Sequence, residues 1–224
     1  MKKLFLPILV ALIIPITYSC GGANKLYTLN EADATRAIRE MLNLGASESV
    51  NGSFNKDAIM AQLFPESVRK TLNTLQQLGL TNEIDRFTNT LATASEKTAE
   101  RSIPIFVSAI NNIRFSDAIR IIKSGGTAAT DYLRSAAGSE LRTSIAPVMK
   151  QALDEYKLTE QWSKIVKPVE SIGKVKFNMD LSNLMAGMVS EAMFRKIEEK
   201  ERDVREHAAA RTSSVLKQVF SRNW

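Results

Sequence analysis

Apolar side chains recur at intervals of three and four residues along most of the chain, which is the period of an amphipathic α-helix. The clearest example follows Thr81, where one helical face carries Ile84, Phe87, Leu91, Ala94 and Thr98. Runs of alternating β-branched residues, which are typical of strands, are missing from the sequence, and Asn51-Gly52 lies between helical segments. The pattern therefore predicts an all-α fold.

Residues that favour helix ends divide the chain into roughly eight amphipathic helices. Asn30 is placed to begin a helix that ends near Leu44-Gly45, and Asp180 is placed to begin a long one. The other predicted signals are N-caps at Ser116, Thr127 and Thr159, a first-turn proline at Pro65, and helix stops at Gly79 and Gly125-Gly126. Pro104 should kink its helix or break it into two, and residues 208–220 should form the last helix.

Aromatic side chains are spread along the length of the chain: Phe87, Phe106, Phe115, Tyr132, Trp162, Phe177, Phe194 and Phe220. Most of the predicted helices are too short to be stable alone in water, so tertiary packing must stabilise them. The spread of the aromatic residues favours one shared core. We therefore expect residues 29–224 to form a single domain, a compact multi-helix bundle.

The first 19 residues have the pattern of a secretory signal peptide. Lys2 and Lys3 precede an almost wholly apolar stretch over residues 4–16, and a small residue ends the segment. The stretch is shorter than the roughly 20 residues that a membrane-spanning helix needs, and two prolines interrupt it. We therefore predict export, with residues 1–19 as the signal peptide and residues 20–28 as a short tether.

The only cysteine, Cys20, lies where a lipoprotein signal places the residue that is acylated. Ser19 and Cys20 resemble the last two positions of the bacterial lipobox, whereas Thr17 and Tyr18 differ from its usual Leu-Ala or Leu-Ser pair. We expect Cys20 to anchor the protein to a membrane through its acyl chains. Gly21, in place of the Asp that resembles an inner-membrane retention signal, favours the outer membrane facing the periplasm. The alternatives are an ordinary signal cleaved near Ser19 and a cysteine placed there by chance.

The charged residues and the single cysteine exclude several classes of function. The 224 residues include 30 Lys and Arg, 24 Asp and Glu, one His and one Cys. These counts exclude an internal disulfide framework and a His/Cys metal cluster, so neither a metal nor a cofactor is expected. Removing residues 1–19 removes two lysines and no acid, which leaves 28 basic and 24 acidic side chains. Because this surplus is mild, nucleic acid is not an expected partner.

Residues 196–206 form the densest run of charges in the chain. On a helix, acid–base pairs meet at i,i+4 spacing within or beside this run: Glu191–Arg195, Glu198–Arg202 and Glu201–Arg205. The signs are interleaved, so the long-range field of the run cancels. We interpret it as a solvated helix face, on which each pair contributes little to stability.

Two further features, His207 and the Gly125-Gly126 segment, contain residues that could take part in catalysis or bind an anion. His207 is the one side chain suited to general-base catalysis near neutral pH, but no serine nucleophile with an orienting acid can be placed around it, which favours an exposed or capping imidazole. Gly125-Gly126 and Thr127 stand at a helix start, whose backbone N–H groups can bind phosphate or carboxylate. The segment lacks the lysine of a P-loop, which favours a helix–turn–helix connection capped by Thr127. No catalytic residue is assigned.

Five short blocks follow one another in the order that a bacterial family shows. They are Thr-Leu-Ala-Thr-Ala-Ser-Glu at 90–96, Pro-Ile-Phe at 104–106 with Ala-Ile at 109–110, Ser-Asp-Ala at 116–118, Ala-Ala-Thr-Asp-Tyr-Leu at 128–133, and Val-Arg-Glu-His-Ala-Ala-Ala-Arg-Thr at 204–212 with Val-Leu-Lys at 215–217 and Val-Phe at 219–220. Over about residues 34–220 the chain resembles the family catalogued as domain of unknown function 4197. It departs from that family at Ala92-Thr93, where Asn-Arg is usual, and at His207-Ala208, where Asn-Pro is usual. The resemblance implies an exported, helical protein of no established activity.

Arg211 has no acid three or four positions away on its own helix. We expect it to lock the last helix to an acid such as Glu96 or Asp117, or to carbonyls at a helix end; the alternative is that it binds an anionic partner. Arg205 and Thr130 complete the set of candidate partner or ligand contacts.

These observations favour a non-catalytic lipoprotein of the cell envelope, whose helical domain binds an unidentified envelope protein or ligand. One alternative is a periplasmic carrier, with Met185, Met188 and Met193 lining an apolar cavity for a lipid or small apolar ligand, although methionine more often fills gaps in cores. The other is a hydrolase that works at a helical carboxylate or at His207.

Overall fold

The computed structural model describes residues 27–48, 50, 52–63, 66–173 and 180–224. The predicted signal peptide, Cys20, Pro65 and Phe177 lie outside the described residues. Within that part of the chain the α-helices are α1 Glu31–Ala46, α2 Lys56–Leu63, α3 Glu66–Leu75, α4 Thr81–Asn112, α5 Ala118–Ser124, α6 Ala128–Glu155, α7 Leu158–Gly173, α8 Leu181–Glu206 and α9 Ser214–Phe220. The described residues contain no strand, and the predicted all-α bundle is confirmed.

The long helices α4, α6 and α8 form the centre of the bundle. α6 packs against both α8 and α4, and α1 packs against α8 and α4. Phe106 of α4 meets Phe194 of α8 edge to face, with ring centroids 5.3 Å apart, and Phe87 lies 5.4 Å from Trp162 of α7. These ring contacts join three helices in one core. None of the helices in the described ranges is both long enough and apolar enough to cross a bilayer.

The apolar face that the sequence predicts after Thr81 is the buried face of α4: Ile84, Phe87, Leu91, Ala94 and Thr98 have no exposed surface. α4 continues through Pro104 to Asn112, so the predicted alternative of a break into two helices is wrong. Pro104 removes one backbone donor, but Phe106 and Ile110 beyond it are fully buried, and their packing stabilises the continued helix.

The helix starts at Asn30 and Asp180 are confirmed. Asn30 Oδ1 accepts a hydrogen bond from the backbone N–H of Asp33 at 2.9 Å, and Asp180 Oδ1 accepts one from the backbone N–H of Asn183 at 3.1 Å. The predicted N-cap at Thr159 is wrong, because α7 begins at Leu158 and places Thr159 in its first turn.

The turn between α5 and α6 confirms the predicted stop at Gly125-Gly126. Both glycines have positive φ, at 70° and 55°, which favours glycine over residues with a Cβ. Thr127 occupies the N-cap position of α6, but its hydroxyl bonds to the Asp131 carboxylate at 3.0 Å instead of to the backbone. The backbone donors at the start of α6 therefore need another acceptor.

Residues 208–220 form two elements, so the prediction of one last helix is wrong. A 3₁₀ turn, Ala208–Ala210, follows α8, and α9 starts after Ser213. The side chain of Ser213 accepts a hydrogen bond from the Leu216 amide at 3.2 Å and thereby caps α9. This second start lets the chain turn between α8 and α9.

Candidate functional site

The buried polar cluster of the fold is built around the first turn of α6. Glu201 of α8 points its carboxylate at this turn: Oε1 accepts from the Ala129 amide at 3.0 Å, and Oε2 accepts from the Thr130 amide at 2.8 Å and the Thr130 hydroxyl at 2.6 Å. Glu201 and Thr130 have no exposed surface. The partial positive charge of the helix N-terminus and the free N–H groups together stabilise the carboxylate there.

Arg205 supplies the balancing positive charge from one turn along α8. Its Nε and Nη2 donate to Glu201 Oε1 at 3.0 and 2.8 Å, and its side chain is 11% exposed. The guanidinium also donates to the carbonyls of Ile122, at 2.9 Å, and Ile121, at 3.3 Å, near the end of α5. The central carbon of this guanidinium, Cζ, lies 5.4 Å from the centre of the Phe220 ring of α9, which is a cation–π contact. We call Glu201, Arg205 and Thr130 the Glu201 cluster; it ties α5, α6, α8 and α9 together.

Arg211 lies beside the cluster and bonds to backbone carbonyls. Its Nε donates to Val204 O and its Nη2 to Arg205 O, each at 2.8 Å. Both carbonyls belong to the last turn of α8, where carbonyls lack intrahelical partners. Of the two kinds of partner expected within the chain, an acid or carbonyls at a helix end, the structure shows the carbonyls.

Glu96 and Asp117 lie apart from these residues. Glu96 Oε1 accepts a hydrogen bond from the Gly52 amide at 2.9 Å, so it bridges α4 to the segment before α2. Asp117 is the N-cap of α5, at φ 65°, and its carboxylate accepts from the Arg120 amide at 3.1 Å and Arg120 Nε at 2.8 Å. The predicted N-cap at Ser116 is therefore wrong by one residue.

Residues 28–221 match the family described as protein of unknown function (DUF4197). The chain belongs to this family. The matched range contains all the helices of the described residues, from α1 to α9. No curated protein and no solved structure matches the chain.

One prediction about this DUF4197 chain needs correction. The charge run 196–206 is not a uniformly solvated face, because Glu201 is fully buried and Arg205 is nearly so. The sequence does contain a signal of this: Glu201 continues the stripe formed by Ile197 and Val204, which are also fully buried, at helical spacing. A carboxylate within an apolar stripe requires a buried partner.

His207 ends α8 as its C-cap residue and is exposed, as the sequence predicts. Its Nδ1 lies 3.0 Å from Asp203 Oδ1, and 65% of the side chain is accessible to solvent. An acid therefore orients this imidazole, at the surface and outside the Glu201 cluster. Within the described ranges, no three or more His, Cys, Asp or Glu side chains are placed to hold a metal ion.

The methionines of α8 are placed mainly in the core. Met185 is fully buried and Met193 is 2% exposed, so neither faces an open cavity. Met188 lines a cleft of about 170 Å³ together with Phe54 and Ala192. This volume is small for a lipid, since ligand pockets are typically about 300–1,000 Å³.

Proposed function

We propose that the protein is a lipid-anchored, non-catalytic module of the bacterial cell envelope, attached through Cys20, whose helical bundle binds a protein or another envelope component. The observation that carries the proposal is the position of Cys20, directly after a basic start, an apolar stretch and Ser19. Two or more acyl chains on one cysteine anchor a protein stably, whereas a single chain gives only marginal binding.

The Glu201 cluster supports a non-catalytic role. A general acid or base must come within hydrogen-bond reach of a substrate. The Glu201 carboxylate has no exposed surface, and both of its oxygens already accept hydrogen bonds from α6 or Arg205. This arrangement stabilises a rigid domain, which suits a module that presents a fixed surface to a partner.

Incorporation of labelled palmitate in the native host tests the anchor. The wild-type chain and Ser19→Ala, which keeps a small residue before Cys20, should both take up the label and fractionate with membranes. Cys20→Ala should take up none, because it lacks the thiol that is acylated. A wild-type chain without label would contradict the proposal, even if it fractionated with membranes.

The hydrolase alternative rests on the oriented imidazole of His207. If the protein is non-catalytic, the His207→Ala variant should complement a deletion strain as fully as the wild-type protein does. Failure of this variant to complement, at a normal protein level, would favour the hydrolase.

A further inference from the structure

Tyr27, near the end of the predicted tether over residues 20–28, lies against the residues that follow α9. Its ring meets the Trp224 ring edge-on, with centroids 6.0 Å apart. The Arg222 guanidinium lies 5.3 Å from the centre of the Tyr27 ring, and its Nη1 donates to the Tyr27 carbonyl at 3.3 Å. The chain entering α1 and the chain leaving α9 therefore share one surface.

This surface exposes an indole ring. Trp224 is 37% exposed and is the one large hydrophobic side chain that the described residues expose. Its Nε1 donates to the Val219 carbonyl at 2.7 Å, which holds the ring in place. Trp and Tyr, with an apolar body and a polar atom, are the residues enriched where a membrane meets water.

A cleft of about 310 Å³ opens beside Trp224 and carries a surplus of positive charge. Lys123 and Arg222 line it, and neither pairs with a carboxylate in the described part of the chain. Arg205 also lines it, but its charge is balanced by Glu201. Glu206 is the one acidic side chain in the lining, so apart from the balanced Arg205 the lining side chains carry two positive charges and one negative charge.

The tether brings this surface to the membrane. Seven peptide units join Cys20 to Tyr27, and at about 3.3–3.6 Å per residue a fully extended chain reaches no more than about 25 Å. Its one charged residue is Lys25, a further positive charge between the anchor and the domain. An acylated Cys20 therefore keeps Tyr27 and its neighbours close to the lipid headgroups.

We infer that Tyr27, Lys123, Arg222 and Trp224, here called the terminal patch, contact the anionic phospholipid headgroups of the membrane in which Cys20 is anchored. The inference rests on the proposed lipid anchor and adds an orientation to it. The aromatic rings enter the headgroup layer, and the basic side chains bind lipid phosphates. The surface opposite the terminal patch then faces the periplasm and is left free for a partner.

The test uses the lipidated protein, purified from membranes and reconstituted into phosphatidylcholine vesicles with or without phosphatidylglycerol. The fluorescence of Trp224 is obtained by subtracting the emission of the Trp224→Phe variant from that of the wild type. This subtraction removes the emission of Trp162, which both proteins contain. We expect brominated phospholipid to quench this difference emission, and more strongly when phosphatidylglycerol is present. Lys123→Gln and Arg222→Gln should each lower the ratio of docked to undocked protein about fivefold, which corresponds to about 1 kcal/mol per basic side chain near an anionic surface. Lys150→Gln, an equal charge change on α6, should have no effect.

The outcomes separate the patch from the anchor. A protein that floats with the vesicles but whose Trp224 emission is unquenched overturns the terminal patch and leaves the anchor intact. A protein that does not float with either vesicle overturns the anchor and, with it, this inference.

Discussion

The carboxylate of Glu201 lies 2.8 Å from the backbone nitrogen of Thr130, although the two residues are 71 positions apart in the chain. The contact places a buried negative charge at the N-terminus of α6, where the helix dipole and two free N–H groups stabilise it. Arg205 neutralises the same carboxylate. A position that could bind an external anion is therefore occupied by the chain itself, and it holds α6 against α8.

Glu201→Gln should lower the free energy of unfolding by about 3–5 kcal/mol, because it leaves the Arg205 guanidinium buried without its counter-charge. The control is Glu199→Gln, two residues earlier on α8. Its carboxylate pairs with Lys196 at a side-chain exposure of 55%, so its loss should cost less than about 1 kcal/mol. Urea unfolding of both variants measures the difference, and equal losses would contradict the assigned role of Glu201.

Arg211→Ala should lower the free energy of unfolding by about 1–3 kcal/mol, because two carbonyls at the end of α8 lose a charged donor. Arg202→Ala, which removes a 53% exposed guanidinium from the same helix, is the control and should change stability little. The melting temperature and complementation of a deletion strain are measured together. A normal melting temperature with lost function would favour an anionic partner for Arg211, and no change in either would contradict both roles.

Two glycines should respond oppositely to alanine. A Cβ on Gly45 of α1 would lie 2.6 Å from the Ile197 Cα of α8, so the two helices must move apart, and we expect Gly45→Ala to cost about 1–3 kcal/mol. At Gly138 of α6 the nearest atom is 3.6 Å away, in ordinary contact. Gly138→Ala should stabilise the helix by about 0.5–1 kcal/mol. Thermal unfolding of both variants decides this, and stabilisation by Gly45→Ala would disprove the close approach.

Stability should depend on acid pH through Glu155. Arg101 of α4 donates two hydrogen bonds to its carboxylate, at 2.9 and 3.0 Å, and these lower the pKa of Glu155 from its ordinary value of 4.5. Because this pKa is lower in the folded state than in the unfolded state, the ion pair stabilises the fold at pH values above the unfolded-state pKa. The stabilisation is lost as the pH falls through the folded-state pKa.

The wild type should therefore melt at a higher temperature than Glu155→Gln at about pH 7, and this gap in melting temperature should narrow as the pH falls below 4.5 and the carboxyl protonates. Glu140→Gln on the same helix is the control, since Glu140 forms no ion pair with the described residues. Melting curves across this range test the prediction. A gap of constant size would show that the ion pair does not cause it.

Local patterns in the sequence predict those features that depend on local geometry. The buried face of α4 follows from helical spacing alone, since Ile84, Phe87 and Leu91 fall on one side whichever helix packs there. The start at Asn30 is similar, because its side chain bonds only three residues ahead. Such interactions join residues within one or two helical turns of each other, so the sequence alone can predict them.

The Glu201 cluster could be predicted only in part. The pairing of Glu201 with Arg205 is local, at i,i+4 spacing, but burial of the pair depends on the start of α6, which is distant in sequence. Arg211 bonds to carbonyl oxygens, which every residue carries, so no residue type identifies its partners. Contacts of these two kinds require the tertiary structure.

Native mass spectrometry of the protein extracted from its own membranes tests the central claim most directly, because one spectrum reports acylation and non-covalent binding together. We predict a chain that begins at Cys20, carries acyl chains and retains a bound protein or other envelope component. A small apolar ligand in place of that component would favour the carrier. A chain without acyl modification, with nothing bound, would contradict the claim of a lipid-anchored binding module.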